Sequence, residues 1–229
     1  MTQSTYLEIR TAILLVSAFL GLQCIWLVSS ELSRPNVIQL PTSAYAATVA
    51  ARERDRASLA AAIGLFRGDL WGQSAFTYAD LLFDQDSSPD VPLKLGRARD
   101  SLERALNDAP IQPAVWLLRT ALGLRYPSLG FNVTEAIKIS YYTGPSEDNL
   151  ISLRLRLATL SGADGDLEIR PLIIRDLRFL WVHKQQGEIA EAYNTASPSG
   201  KRFMEKTLSE FDRSAPEWLR TVRKQSLPD

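Results

Sequence analysis

Residues 11–30 read TAILLVSAFLGLQCIWLVSS, and no side chain in residues 12–28 carries a charge. A helix rises 1.5 Å per residue, so about 20 residues cover the ~30 Å hydrocarbon core of a bilayer. A buried core helix has similar hydropathy. The charge-free run beside the N-terminus instead predicts a transmembrane helix over residues 11–30, after a short tail at 1–10. Trp26 falls near its exit, where an indole suits the membrane–water interface. The triplet Ala44-Tyr45-Ala46 has the small-residue pattern of a cleavage site. It lies too far beyond the apolar run for an ordinary leader, so the segment is expected to remain as an anchor. Arg10 before the span and Arg34 after it leave the positive-inside count nearly tied. The short tail and the cysteine-free remainder lead us to expect an inner (cytoplasmic) membrane protein, single-pass, with its domain in the periplasm. A cytoplasm-facing adaptor is the alternative topology.

Composition narrows the chemistry. Lys+Arg and Asp+Glu number 26 each, so no global field draws the chain to nucleic acid. Cys24, inside the span, is the single cysteine, and His183 is the single histidine. An internal disulfide and a Cys/His zinc site are therefore excluded. A Ser-His-Asp triad would have to use His183, which reads better as a helix C-terminal residue favoured by the macrodipole. Asp164, Asp166 and Glu168 lack the twelve-residue calcium-loop pattern and read as a solvated turn. No glycine-rich phosphate loop occurs. No catalytic residue, metal ligand or cofactor site is expected.

Beyond a linker at residues 31–43, bearing Pro35 and Pro41, residues 44–229 read as helix after helix. Thr42 or Ser43 is placed to cap one running through residues 44–66, and Asp69 to cap the next. Residues 84–92 form an acidic, proline-bearing loop. Leu95, Ala98, Leu102, Ala105 and Leu106 then make a helical stripe, with Arg97 facing water. Pro113 suits a first turn and Asn132 or Thr134 a cap. Residues 169–184 are apolar around most of their circumference, which predicts a central, well-buried helix. Ser197 precedes Pro198, and Ser214, Pro216 and Glu217 form a capping box. Trp71, Trp116, Trp181 and Trp218 read as core anchors. No strand-type alternation appears. The fold class expected is all-α: a transmembrane helix, then an array of antiparallel helical hairpins.

One block carries a repeat signal. Ala98, Leu102, Ala105 and Pro110, followed by Trp116, match the small–large–small spacing, the terminating proline and the next unit's tryptophan of a tetratricopeptide repeat. Residues 69–160 resemble that family on this motif, which implies a TPR-like α-solenoid that binds another protein. The anchor, the hairpin layout and the string YYTGPSE also resemble small membrane-anchored helical proteins of alphaproteobacteria. That resemblance implies a context of cell-envelope polysaccharide assembly.

The string ISYYTGPSED, residues 139–148, joins two helices. Gly144 suits a left-handed position, Pro145 a first helical turn, and Glu147 and Asp148 the positive end of the next helix. Capping does not account for Tyr141 and Tyr142. Adjacent helix positions point about 100° apart, so one tyrosine can be core while the other reaches a groove. With Arg154 and Arg156 they are the candidate partner-binding residues. Arg175 and Arg178 are a second arginine set that would suit an anionic groove. The function expected is a membrane-anchored scaffold or adaptor for a protein partner. The competing expectation is a glycan-binding or enzymatic domain using the Tyr141/Tyr142 corner.

Overall fold

The computed structural model describes residues 3–83, 90–212, 215 and 217–219. Among these there is no strand, and 79% are helical. The all-helical expectation holds.

Helix α1 runs over Gln3–Ser33, so it passes the expected boundary at residue 30 and takes up the start of the supposed linker. Its segment Ile9–Ser33 is long and apolar enough to cross a membrane, and none of it is buried against the rest of the chain over the most apolar window. Ser43 caps α2 (Ala44–Arg52), its hydroxyl accepting from the Ala46 N–H. The single helix expected through residue 66 breaks at Glu53 and resumes as α3 (Arg54–Ile63). The break has a tertiary cause. Arg54 turns inward, donating to the Thr77 carbonyl at 2.6 Å and to Asp80 at 2.8 Å.

Helices α4 (Gly68–Phe76) and α5 (Val91–Asp108) form a closely packed hairpin. Asp69 does not cap α4, since Arg67 holds that position; Asp69 sits in the first turn and pairs with Arg67 instead. Ala98, Leu102 and Ala105 are wholly buried on α5, and Arg97 is exposed, as the stripe predicts. Gly68 shows how near the helices come. A Cβ there would lie 2.6 Å from that of Ala109.

Helix α6 (Pro113–Arg125) packs antiparallel on α7 (Val133–Thr143), which Asn132 caps through the Glu135 N–H. α6 separates two hydrophobic cores. Leu117 and Ala121 face one, while Val115, Leu118 and Leu122 face the other. Beyond it come α8 (Ile151–Ser161), α9 (Arg170–Val182), α10 (Gln186–Thr195) and α11 (Pro198–Phe211). Ser197 caps α11 through the Gly200 N–H. The last three all pack on α8, which is buried nearly all round.

The central helices are therefore α6 and α8. The helix at 169–184 is not the expected central one: α9 buries Ile173, Asp176, Leu177 and Leu180 but exposes Arg175, Arg178 and Val182. Of the tryptophans, Trp71 is buried, whereas Trp116, Trp181 and Trp218 are half-buried; Trp181 and Trp218 meet edge to face at 5.5 Å. Ser214 and Pro216 of the expected capping box, and residues 84–89 of the acidic loop, lie outside the described residues.

Candidate functional site

The joint between α7 and α8 departs from the expected cap chemistry. Gly144 has φ −146°, so it is not left-handed. Its need for glycine is spatial: a Cβ would stand 2.5 Å from Pro113 Cγ. Pro145 is not in a first turn either. The chain runs on to a 3-10 turn at Asp148–Leu150 before α8 begins.

Arg154 holds this joint from inside. It is wholly buried and donates to the Gly144 carbonyl at 2.6 Å and the Ser140 carbonyl at 3.2 Å. A cation thus sits at the carbonyl end of α7, on two carbonyls that also accept from the Gly144 and Glu147 N–H groups. Its guanidinium also lies over the Tyr141 ring, 5.3 Å from the centroid.

Tyr141 is fully buried and Tyr142 is 55% exposed, so the two split between core and surface. The Tyr142 hydroxyl donates to Glu168 at 3.2 Å, and Lys138 pairs with the same carboxylate. These contacts hold Glu168 below the usual carboxylate range, Lys138 first and Tyr142 second. Tyr141 and Arg154 present no surface to a partner in this conformation. Tyr142 and Arg156 do.

Beneath the corner is a buried polar cluster. The Tyr141 hydroxyl, Arg154 Nη1 and Asp176 Oδ2 each lack a hydrogen-bond partner. The hydroxyl lies near Asp176 without meeting bonding geometry. Burial pushes the Asp176 carboxyl above its ordinary value, and the pairing with Arg175 at 3.0 Å opposes this. Burial likewise raises the Tyr141 hydroxyl and lowers the Arg154 guanidinium. Asp164, read as part of a solvated turn, is instead buried, and burial raises its carboxyl too.

Arg156 points elsewhere. It pairs with Glu191 and lies at the rim of a groove of about 320 Å³ where the two cores meet. The floor is apolar, from Leu117 and Ala121 of α6 and Leu153 and Leu157 of α8. Leu40 and Pro41, from the stretch after α1, close one wall. Arg125 and Arg156 are its two cations. That volume is at the small end for a ligand pocket, enough for one or two large side chains.

Of the four candidate residues the groove includes only Arg156. Sequence reading missed Leu124, Arg125 and Leu160, which line it from the ends of α6 and α8. Asp176, which the sequence offers as an acid for the nearby arginines, does pair with Arg175, but its burial was missed, although it falls on the stripe Ile173, Leu177, Leu180, and a carboxylate on an apolar stripe is a readable sign of a buried charge.

Among the described residues no cluster of histidine, cysteine, aspartate and glutamate could hold a metal. His183 is exposed, its ring stacked on Phe179 and its Nδ1 2.9 Å from the Phe179 carbonyl. No family model matches the chain, and neither the characterised proteins nor the solved structures yield a match.

Proposed function

We propose that this chain is a single-pass membrane protein whose helical domain is an adaptor, receiving an apolar segment of a protein partner in the groove between its two cores. The groove carries this reading: an apolar floor with guanidiniums at its rim. Such a surface fits the apolar face of a partner helix. The α4/α5 and α6/α7 hairpins, with close contacts at Ala98 and Ala105, support a TPR-like reading of the N-terminal half. A periplasmic domain at the inner membrane, serving envelope or polysaccharide assembly, is the setting we attach to it from the resemblance alone.

Site-specific photocrosslinking in intact membranes tests the proposal. Probes at Leu124 and Leu160 should capture a common protein that a probe at the exposed Leu167 does not. Identical products at all three positions, or none at the groove, would overturn it.

A further inference from the structure

We infer that the tip of α3 and the turn after it, residues 59–66, form a second membrane contact, lying in the lipid interface beside α1. The inference rests on reading α1 as a transmembrane helix and adds a docking surface to it.

The argument starts from the joint between α1 and the domain. The Trp26 indole N–H donates to the Ile63 carbonyl at 2.6 Å, tying α1 to the end of α3. Four residues on, the Ser30 hydroxyl accepts from Arg67 at 3.2 Å, and Arg67 also pairs with Glu31. Farther along, Arg34 reaches Asp69 at 3.8 Å. Contacts to α1 therefore climb in order from Ile63 to Asp69, with the end of α3 on the lipid side.

Length then forces the issue. The uncharged run from Thr11 to Ser30 needs about all of its residues to cross ~30 Å of hydrocarbon. Trp26 stands four residues, or about 6 Å, inside that limit. Whatever is bonded to Trp26 sits at or below the hydrocarbon boundary.

The residues there are suited to that depth. Leu59 is 55% exposed, Leu65 59% and Phe66 79%, with Ala62 exposed and Ile63 half-buried beside them. The turn is held in place: the Trp71 indole donates to the Leu65 carbonyl at 3.1 Å, and Leu65 has φ +29°. A leucine at positive φ is strained, and a water-facing turn would ordinarily place glycine or asparagine there. The fold instead presents leucine and phenylalanine outward at the level of the indole. Amphipathic elements in the plane of a bilayer bury their apolar face about 5–10 Å into the headgroup–acyl boundary, which matches this placement.

The test is depth-dependent fluorescence quenching on the full chain in phosphatidylcholine vesicles with nitroxide-labelled acyl chains. A polarity-sensitive dye is placed at native Cys24, or, in a Cys24→Ser background, at Phe66→Cys or Leu167→Cys. Phe66 and Leu167 are both highly exposed, so folding should survive each change. The dye at 66 should show blue-shifted emission and loss of intensity to a shallow nitroxide, the dye at 24 loss to a deep one, and the dye at 167 neither. Emission at 66 matching 167, with Cys24 quenched, overturns the second contact and leaves the anchor standing. Lack of quenching at Cys24 as well would remove both.

Discussion

The two cores that meet at α6 are built of different material. On the N-terminal side the buried positions are rich in alanine, with Ala60, Ala61, Ala75, Ala98 and Ala105 packed around Trp71 and Phe76. Its buried hydroxyls have partners: Ser74 meets Ser101 at 3.3 Å, and Thr77 donates to the Ser74 carbonyl, while Arg54 Nε and Gln112 Nε2 are the unpaired atoms on this side among the described residues. On the C-terminal side leucine and isoleucine dominate, and a tyrosine, an arginine and two aspartates are buried with atoms unpaired. Small residues set a short helix separation and leave no slack. Large residues fill volume, and their core accommodates charge at a desolvation cost.

That contrast is breakable in order of size. Leu155 is wholly buried in the C-terminal core. Leu155→Ala removes filling and should cost about 2–5 kcal/mol in denaturant unfolding. Ala105→Leu makes the opposite error in the N-terminal core and should cost about 1–3 kcal/mol, while Arg97→Ala should stay within about 0.5 kcal/mol. Equal melting of Ala105→Leu and Arg97→Ala would mean that the alanine side is not close-packed.

Gly144→Val should cost about 1–3 kcal/mol through collision with Pro113. Because the cause is space and not positive φ, Gly144→Ala should also destabilise. An alanine variant that melts like wild type would restore the backbone explanation.

Asp176 sharpens the comparison through pH. Its folded carboxyl holds a proton to higher pH than the unfolded one. Stability from this group is therefore greatest in acid and declines as pH rises above about 4, the ordinary aspartate value, through the raised folded value. Asparagine does not titrate, so wild type should weaken relative to Asp176→Asn over that climb. A gap that moves the other way would mean that Arg175 and Arg154 outweigh burial. The smallest effect is expected of Tyr141→Phe. Removing a buried hydroxyl without a partner should be neutral or slightly stabilising. A large loss would reveal a bond to Asp176.

Much of this was legible because it is local. The apolar run, the caps at Ser43, Asn132 and Ser197, and the stripe through Ala98 and Ala105 depend on neighbours within a few residues. What was hidden depends on residues far apart. The break at Glu53 follows from Arg54 reaching Thr77 and Asp80. Arg154 is buried on carbonyls 14 and 10 residues back in the chain, those of Ser140 and Gly144. One wall of the groove is Leu40 and Pro41, which come back against α6 and α8 from far along the chain. Adjacent tyrosines announced one inside and one outside, but periodicity alone did not say which.

The continuity of α1 past the apolar run has a mechanical consequence. A domain on a slack tether would sample every heading and a range of heights above its membrane. Here the helix runs unbroken to Ser33 and is bolted by Trp26, Ser30, Glu31 and Arg34 to α3 and α4. On the proposed reading of α1 as a membrane anchor, this joint would give the groove one bearing and one altitude. On the same reading a twist of the helix about its own axis would become a swing of the whole domain, and a neighbouring helix that gripped α1 would aim the groove as a tiller turns a rudder.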